Sequence, residues 1–124
     1  MAYTRYLTNK KKVLELITPL HTNVFASHVT HEFGVPNNSS LPLEAELKIV
    51  GYAYDKKAQA FVVSVNGSIY RPDNHIYHLT ISTADGVKPV YSNLLLESGW
   101  IHLFSPIPIQ AILTLLIGNK NVRA

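Results

Sequence analysis

The chain has 124 residues, of which 47% are hydrophobic and 15% are charged, and its formal net charge is +3. This length predicts a single domain over residues 1–124, and the apolar content excludes an intrinsically disordered chain. No cysteine is present, which excludes a disulfide framework, a thiolate nucleophile and a cysteine-ligated zinc site. The charge is too small to indicate nucleic-acid binding by itself.

The first third of the chain predicts a strand, a helix and a second strand. Residues 2–7 are rich in β-forming types. Thr8 is a suitable N-cap for a helix that Pro19 ends. Residues 24–33 predict the second strand, and residues 34–40 predict a loop because they combine glycine, proline, asparagine and serine.

The remainder of the chain predicts mostly strands. Residues 43–54 and 59–65 predict a β-hairpin, and residues 76–83 predict a fifth strand. Residues 92–98 predict a short helix that ends before a glycine. Residues 109–117 predict a closing strand buried on both faces.

One tripeptide pattern occurs twice: His-aliphatic-Thr at residues 28–30 and again at residues 78–80. Both copies fall on predicted strands, where alternate residues face the same side. Each copy therefore presents an imidazole and a hydroxyl together, and adjacent strands would bring all four groups into one groove. The candidate site residues are His28, Thr30, His78 and Thr80.

These four groups suit phosphodiester cleavage without a metal or cofactor. A neutral imidazole can accept a proton from water, a protonated one can donate to the leaving oxygen, and the hydroxyls can hold phosphoryl oxygens. The mechanism predicts a bell-shaped pH profile, with about one proton shared by the pair near neutrality. A single His-x-Thr would more often be a structural histidine bonded to a carbonyl, but the duplication favours the catalytic interpretation.

The surroundings of both motifs resemble a known family. Ala-Ser-His-Val-Thr at residues 26–30, Phe33-Gly34, and His-Leu-Thr-Ile-Ser at residues 78–82 resemble the two-histidine phosphoesterase superfamily, in particular its RNA ligase-associated 2′,3′-cyclic phosphodiesterases. The resemblance runs nearly end to end. One departure is that only the short predicted helix at residues 92–98 occupies the place of a long helix in the second half.

The resemblance implies an α+β fold in which two pseudo-symmetric halves with antiparallel-rich sheets enclose a central groove. It implies that His28 and His78 are the acid–base pair and that Thr30 and Thr80 bind phosphate. The expected activity is a hydrolase that opens 2′,3′-cyclic phosphates of RNA ends or nucleotides. Two alternatives remain open: hydrolysis of cyclic or 2′-5′-linked signalling oligonucleotides, as in immune evasion, and a non-catalytic nucleotide- or RNA-binding module.

Three further residues are candidate substrate contacts. Lys88 lies in the loop after the second motif and can neutralise phosphate charge, while Tyr91 and Tyr6 can stack on a base. The alternatives for these residues are a solvated lysine and tyrosines that pack. A metal site is not expected, because strand alternation turns His31 and His75 away from the motif histidines.

The chain shows no signal peptide and no span suited to a membrane. The expectation is a cytoplasmic monomer that acts on RNA ends or small cyclic or 2′-5′ nucleotides and has no membrane partner.

Overall fold

The computed structural model describes the backbone of residues 2–35, 45–117 and 120–123, and the side chains of residues 5–30 and 45–111. The elements of this part follow in chain order: β1 (Ala2–Thr8), α1 (Lys10–Leu16), β2 (Asn23–Val24), β3 (His28–Val35), β4 (Leu47–Tyr54), β5 (Ala58–Val65), β6 (His78–Thr83), a 3-10 turn (Pro89–Tyr91), α2 (Ser92–Glu97), β7 (Ile101–Ile109), β8 (Ala111–Ile117) and β9 (Lys120–Arg123).

The strands form one open antiparallel sheet with the order β7-β4-β5-β6-β3-β1-β8-β9, and β2 pairs with β6. Along this order, four strands lie on each side of the contact between β6 and β3, and β2 adds a fifth strand on the β6 side. With its two short helices, the described part of the chain confirms the predicted antiparallel-rich α+β class.

The β3–β6 junction joins these two groups of strands through one registered pair, Val29 with Leu79. Both side chains are fully buried, because each occupies the core-facing position in the middle of its tripeptide. In an antiparallel pair, the residue before the paired position on one strand faces the residue after the paired position on the other. The junction therefore places His28 near Thr80, and Thr30 near His78.

Apolar residues of the sheet form two core clusters. The larger contains both junction residues, with Ile49, Phe61 and Ile81 among its members. The smaller lies under α2 and includes Leu95 and Leu96. Every residue of β5 is buried, since this strand contributes to both clusters. The sheet that carries the motifs is thus anchored on both faces near β5.

The two predicted helices are present, with one correction to their boundaries. α2 matches the predicted short helix, and Gly99 follows it with φ +109°. The N-cap of α1 is Asn9, whose side-chain oxygen accepts a hydrogen bond from the Lys12 N–H at 3.2 Å. Thr8 is not the cap, because it ends β1 and its hydroxyl donates to the Ala26 carbonyl at 2.9 Å.

The predicted second strand, residues 24–33, is wrong as a single element. The extended conformation is interrupted at Ala26, between β2 and β3. Ala26 is buried and has φ +56°, which lies outside the range of a β-strand. Its N–H donates to the Thr80 carbonyl at 2.8 Å, so this residue still contacts β6. β3 continues to Val35, and residues 36–40 of the predicted loop lie outside the described residues.

The later strands agree in part with prediction. The β4–β5 hairpin is confirmed and spans Leu47–Tyr54 and Ala58–Val65, and β6 begins at His78 rather than at residue 76. Residues 43–44 and the side chains of residues 112–117 lie outside the described set, so burial of the closing strand stays a prediction. β7 and β9 were not predicted. β7 is an edge strand, which explains how it accommodates two prolines.

Candidate active site

The four motif side chains line one small cavity at the β3–β6 junction. Its volume is about 60 Å³, and its lining consists of His28, Thr30, His78, Thr80, Pro89, Val90 and Asn93. The two strands supply the motif residues, and residues 89–93, here called the cavity wall, supply the rest. A cavity needs only about 10–15 Å³ of such volume to hold a water molecule, so this one has room for small polar groups such as phosphoryl oxygens.

His78 has a defined ring orientation. Its Nδ1 lies 2.9 Å from the Ile76 carbonyl oxygen. Because a carbonyl only accepts, Nδ1 carries the proton, and in the neutral ring Nε2 keeps its lone pair. Burial lowers the pKa of His78, the Ile76 carbonyl opposes this shift, and the nearby Arg71 and His75 lower the pKa further.

His28 lies in a similarly desolvated position on β3. Burial, followed by the charges of Arg5 and His78, lowers its pKa to about 4. Arg5 belongs to the neighbouring strand β1, where it is the register partner of Thr30. The Ser27 hydroxyl oxygen lies 3.4 Å from Nδ1 of His28.

The directions of these pKa shifts bear on the expectation that the two imidazoles share one proton near neutrality. Burial lowers the pKa of both His28 and His78 from the ordinary value of 6.5. This burial therefore favours the neutral form of each ring.

The Thr80 hydroxyl is hydrogen-bonded to the cavity wall. Its Oγ1 lies 2.9 Å from the Ser92 hydroxyl oxygen and 3.5 Å from the Pro89 carbonyl oxygen. Thr80 is 8% exposed and Ser92 is fully buried. This contact links β6 to the start of α2 and ties the second motif directly to the wall.

The wall has a second attachment at the β4–β5 turn. The Tyr91 hydroxyl donates to Asp55 Oδ2 at 2.5 Å, and Asp55 Oδ1 accepts the backbone N–H groups of Lys57 and Ala58 at 2.8 Å each. Burial acts to raise the pKa of Asp55, but these hydrogen bonds outweigh it and lower the pKa. The Lys57 ammonium lies 5.5 Å from the centre of the Tyr91 ring.

The three predicted substrate contacts do not line the cavity. Lys88 is exposed and immediately precedes the wall. Tyr91 belongs to the wall segment, but its hydroxyl is directed to Asp55 rather than into the cavity. Tyr6 is only 2% exposed and packs in the larger core cluster, where burial, followed by the neighbouring Tyr77, raises its pKa to about 12. A ring so deeply packed cannot stack on a base, so the structure does not support that role for Tyr6.

Sequence reasoning missed the two arginines beside the imidazoles and the hydroxyl pair of Thr80 with Ser92. No local pattern marks Arg5 or Arg71, because strand pairing or a folded loop brings each near enough to lower the pKa of a motif histidine. Asn93, which also lines the cavity, lies in the segment after the second motif. Among the described residues, no group of three or more His, Asp or Glu side chains is placed to hold a metal ion, and metal independence stays a prediction.

A comparison with known proteins defines the class. Residues 7–111 match the family model described as the fungal tRNA ligase phosphodiesterase domain. This is a domain of the two-histidine phosphoesterase class, so the predicted resemblance is confirmed. The chain belongs to this family and is a phosphodiesterase, a hydrolase of phosphodiester bonds.

No curated protein and no solved structure matches the chain. Membership in the family supports cyclic phosphodiesterase activity on RNA ends in general. Within the described residues, no helix is long and apolar enough to cross a membrane.

Proposed function

We propose that this protein opens 2′,3′-cyclic phosphates at RNA ends without a metal, using His28 and His78 as a general acid–base pair. The observation that carries the proposal is the convergence of both imidazoles and both motif hydroxyls on one cavity at the β3–β6 junction. The family match supports the RNA-end substrate class.

In this mechanism, one neutral imidazole takes a proton from water as the water oxygen bonds to phosphorus. The bond from phosphorus to one ribose oxygen breaks, and the other imidazole, protonated, donates its proton to that oxygen. The hydroxyls of Thr30 and Thr80 donate hydrogen bonds to the non-bridging oxygens, whose charge grows in the transition state. Which histidine is the acid stays open.

The lowered pKa values fit a site that becomes competent when substrate binds. A phosphodiester carries one negative charge, and a negative charge within a few ångströms favours the imidazolium form. Proton uptake would then accompany substrate entry. Lys88, exposed beside the wall, and the Asn93 amide at the cavity are proposed to contact the parts of the substrate outside the phosphate.

The two groups of four strands that meet at the junction are proposed to correspond to the two halves around a groove that the family resemblance implies. RNA ends or small cyclic nucleotides would enter along this junction. A monomeric state and a cytoplasmic location stay predictions, as does the single domain over residues 1–124.

The test is hydrolysis of a substrate panel in the presence of EDTA. The panel contains 2′,3′-cyclic mononucleotides, an RNA oligonucleotide ending in a 2′,3′-cyclic phosphate, 2′-5′-linked oligoadenylate and cyclic dinucleotides. The double variant His28→Ala/His78→Ala serves as the background control. We expect opening of the 2′,3′-cyclic phosphates, undiminished by EDTA; loss of activity on chelation would remove the metal-free mechanism.

The same panel separates the alternatives. Faster cleavage of 2′-5′ oligoadenylate or cyclic dinucleotides than of any 2′,3′-cyclic phosphate would replace the proposed substrate with signalling oligonucleotides. Ligand binding without product, retained in the double histidine variant, would identify a binding module instead.

A further inference from the structure

Thr80 and Ser92 form a pair of buried hydroxyls at the edge of the cavity. Thr80 lines the cavity, whereas Ser92 is fully buried behind it at the start of α2. Their oxygens are 2.9 Å apart, a normal hydrogen-bond distance, and either oxygen can be the donor by geometry alone. The direction of this hydrogen bond decides what the Thr80 proton can do.

Burial favours donation from Ser92. A buried hydroxyl that leaves its proton without an acceptor loses solvation free energy. For the part of the chain that the structure describes, the hydrogen bond recorded for Ser92 Oγ is the one with Thr80. If Ser92 donates, the proton of Thr80 must find another acceptor. The Pro89 carbonyl oxygen, at 3.5 Å, is at the limit of a hydrogen bond.

We propose that Ser92 is a positioning residue that donates to Thr80 and so directs the Thr80 proton toward a phosphoryl oxygen in the cavity. This inference rests on the proposed function, because it assigns Ser92 a role in holding the same phosphate. Ser92 touches no substrate itself. It turns a hydroxyl that could either donate or accept into a donor before substrate arrives, so less reorganisation is needed in the transition state.

The role of Ser92 can be separated from support of the wall. The wall is also held by the hydrogen bond between Tyr91 and Asp55, and α2 is anchored by buried Leu95 and Leu96. Removing one oxygen atom from Ser92 therefore leaves these attachments in place. Its effect should appear in the chemical step rather than in the fold.

The experiment is a double-mutant cycle on hydrolysis of a 2′,3′-cyclic mononucleotide. Ser92→Ala is expected to lower kcat about 3- to 10-fold, the range of one hydrogen bond, with little change in KM. In the Thr80→Ala background, Ser92→Ala should have no further effect on kcat, because the hydroxyl it directs is absent. Ser92→Cys, which keeps a weak donor in a somewhat larger side chain, should fall between wild type and Ser92→Ala.

Ser82→Ala is the matched control. Ser82 is a fully buried serine of β6 whose hydroxyl donates to Gln59 Oε1 at 2.6 Å, away from the cavity lining. Its loss should reduce stability without lowering kcat. Equal kcat losses in Ser82→Ala and Ser92→Ala would overturn the positioning role.

The outcomes also separate this inference from the proposed function. If the wild-type protein hydrolyses cyclic phosphates but Ser92→Ala and Thr80→Ala act additively, or Ser92→Ala raises only KM, the role of Ser92 is overturned and the proposed function stands. If the wild-type protein opens no cyclic phosphate, the proposed function fails, and the role of Ser92 fails with it.

Discussion

The two His-aliphatic-Thr motifs share a sequence pattern but differ in their surroundings. On β6, the His78 ring is hydrogen-bonded to the Ile76 carbonyl. Thr80 is hydrogen-bonded to the hydroxyl of Ser92 in the cavity wall. On β3, the described hydrogen bond of the His28 ring joins it to the Ser27 hydroxyl at 3.4 Å. Within the described residues, Thr30 makes no corresponding bond to a helix.

This difference shows that the β6 motif is held in place by the segments on both sides of it in the chain. The β3 motif lies on a strand that pairs with β1, where Arg5 is the register partner of Thr30. Equivalent chemical groups can therefore be expected to respond differently to substitution. Each prediction below uses the comparison, beginning with the largest expected effect.

Alanine substitution of either motif histidine should cause the largest loss. His28→Ala and His78→Ala are each expected to lower kcat about 10²- to 10⁴-fold on a 2′,3′-cyclic nucleotide, because each removes a proton-transfer group. The far-ultraviolet circular dichroism spectrum should remain that of the folded protein. His102→Ala, at an exposed ring that contacts the Trp100 ring in a tilted arrangement, is the control and should keep full activity. Full activity in a motif variant would remove that histidine from the mechanism.

Alanine substitution of the two motif threonines should affect the unfolding free energy differently in the two motifs. Thr30→Ala and Thr80→Ala should each lower kcat more than they raise KM, by up to about 10²- to 10³-fold, as for loss of one oxyanion donor. Only Thr80→Ala leaves a buried partner hydroxyl, on Ser92, which should cost about 1–3 kcal/mol of unfolding free energy.

Steady-state kinetics and urea unfolding measure these two effects of the threonine variants. Thr30→Ser should retain much of the rate, because the hydroxyl remains. An equal stability loss in Thr30→Ala and Thr80→Ala would contradict the difference between the motifs.

The pH dependence should reveal how the two motif imidazoles are protonated. Productive binding needs one imidazolium, and burial lowers the pKa of both His28 and His78. A lowered pKa means that the ring is protonated only at more acidic pH, so kcat/KM, which reports the free protein, should be largest below pH 6.5. The profile of kcat should lie at higher pH, since the bound phosphate favours the imidazolium. An optimum of kcat/KM above pH 7 would contradict the neutral pair.

Removing the hydrogen bond that holds the cavity wall to Asp55 should have the smallest effect, and it should act on KM more than on kcat. Tyr91→Phe removes the hydroxyl that donates to Asp55, and we expect KM to rise about 2- to 5-fold with a smaller change in kcat. Tyr70→Phe, at an exposed tyrosine outside the cavity lining, is the matched control. If Tyr91→Phe left KM unchanged, the Asp55 contact would not contribute to the shape of the cavity.

Sequence reasoning succeeded where local periodicity carries the information. The spacing of His28 from Thr30, and of His78 from Thr80, predicts that each pair shares a strand face, and the aliphatic residue between them occupies the core. The short helix before Gly99 was likewise predicted, because a glycine commonly follows the end of a helix. Sequence reasoning failed at Ala26, because a positive φ at a non-glycine residue is imposed by contacts such as its hydrogen bond to the Thr80 carbonyl.

The sequence by itself determined which groups are candidates for the chemistry and which face of each strand they occupy, because alternation along a strand is a property of the local backbone. Only the tertiary structure decided that the strands pair at Val29 and Leu79, which brings the two motifs to one cavity. It also decided the depth of burial that lowers the pKa of both imidazoles. It packed Tyr6 into the core and set Ser92 behind Thr80, since burial and cross-chain hydrogen bonds depend on residues that are distant in sequence.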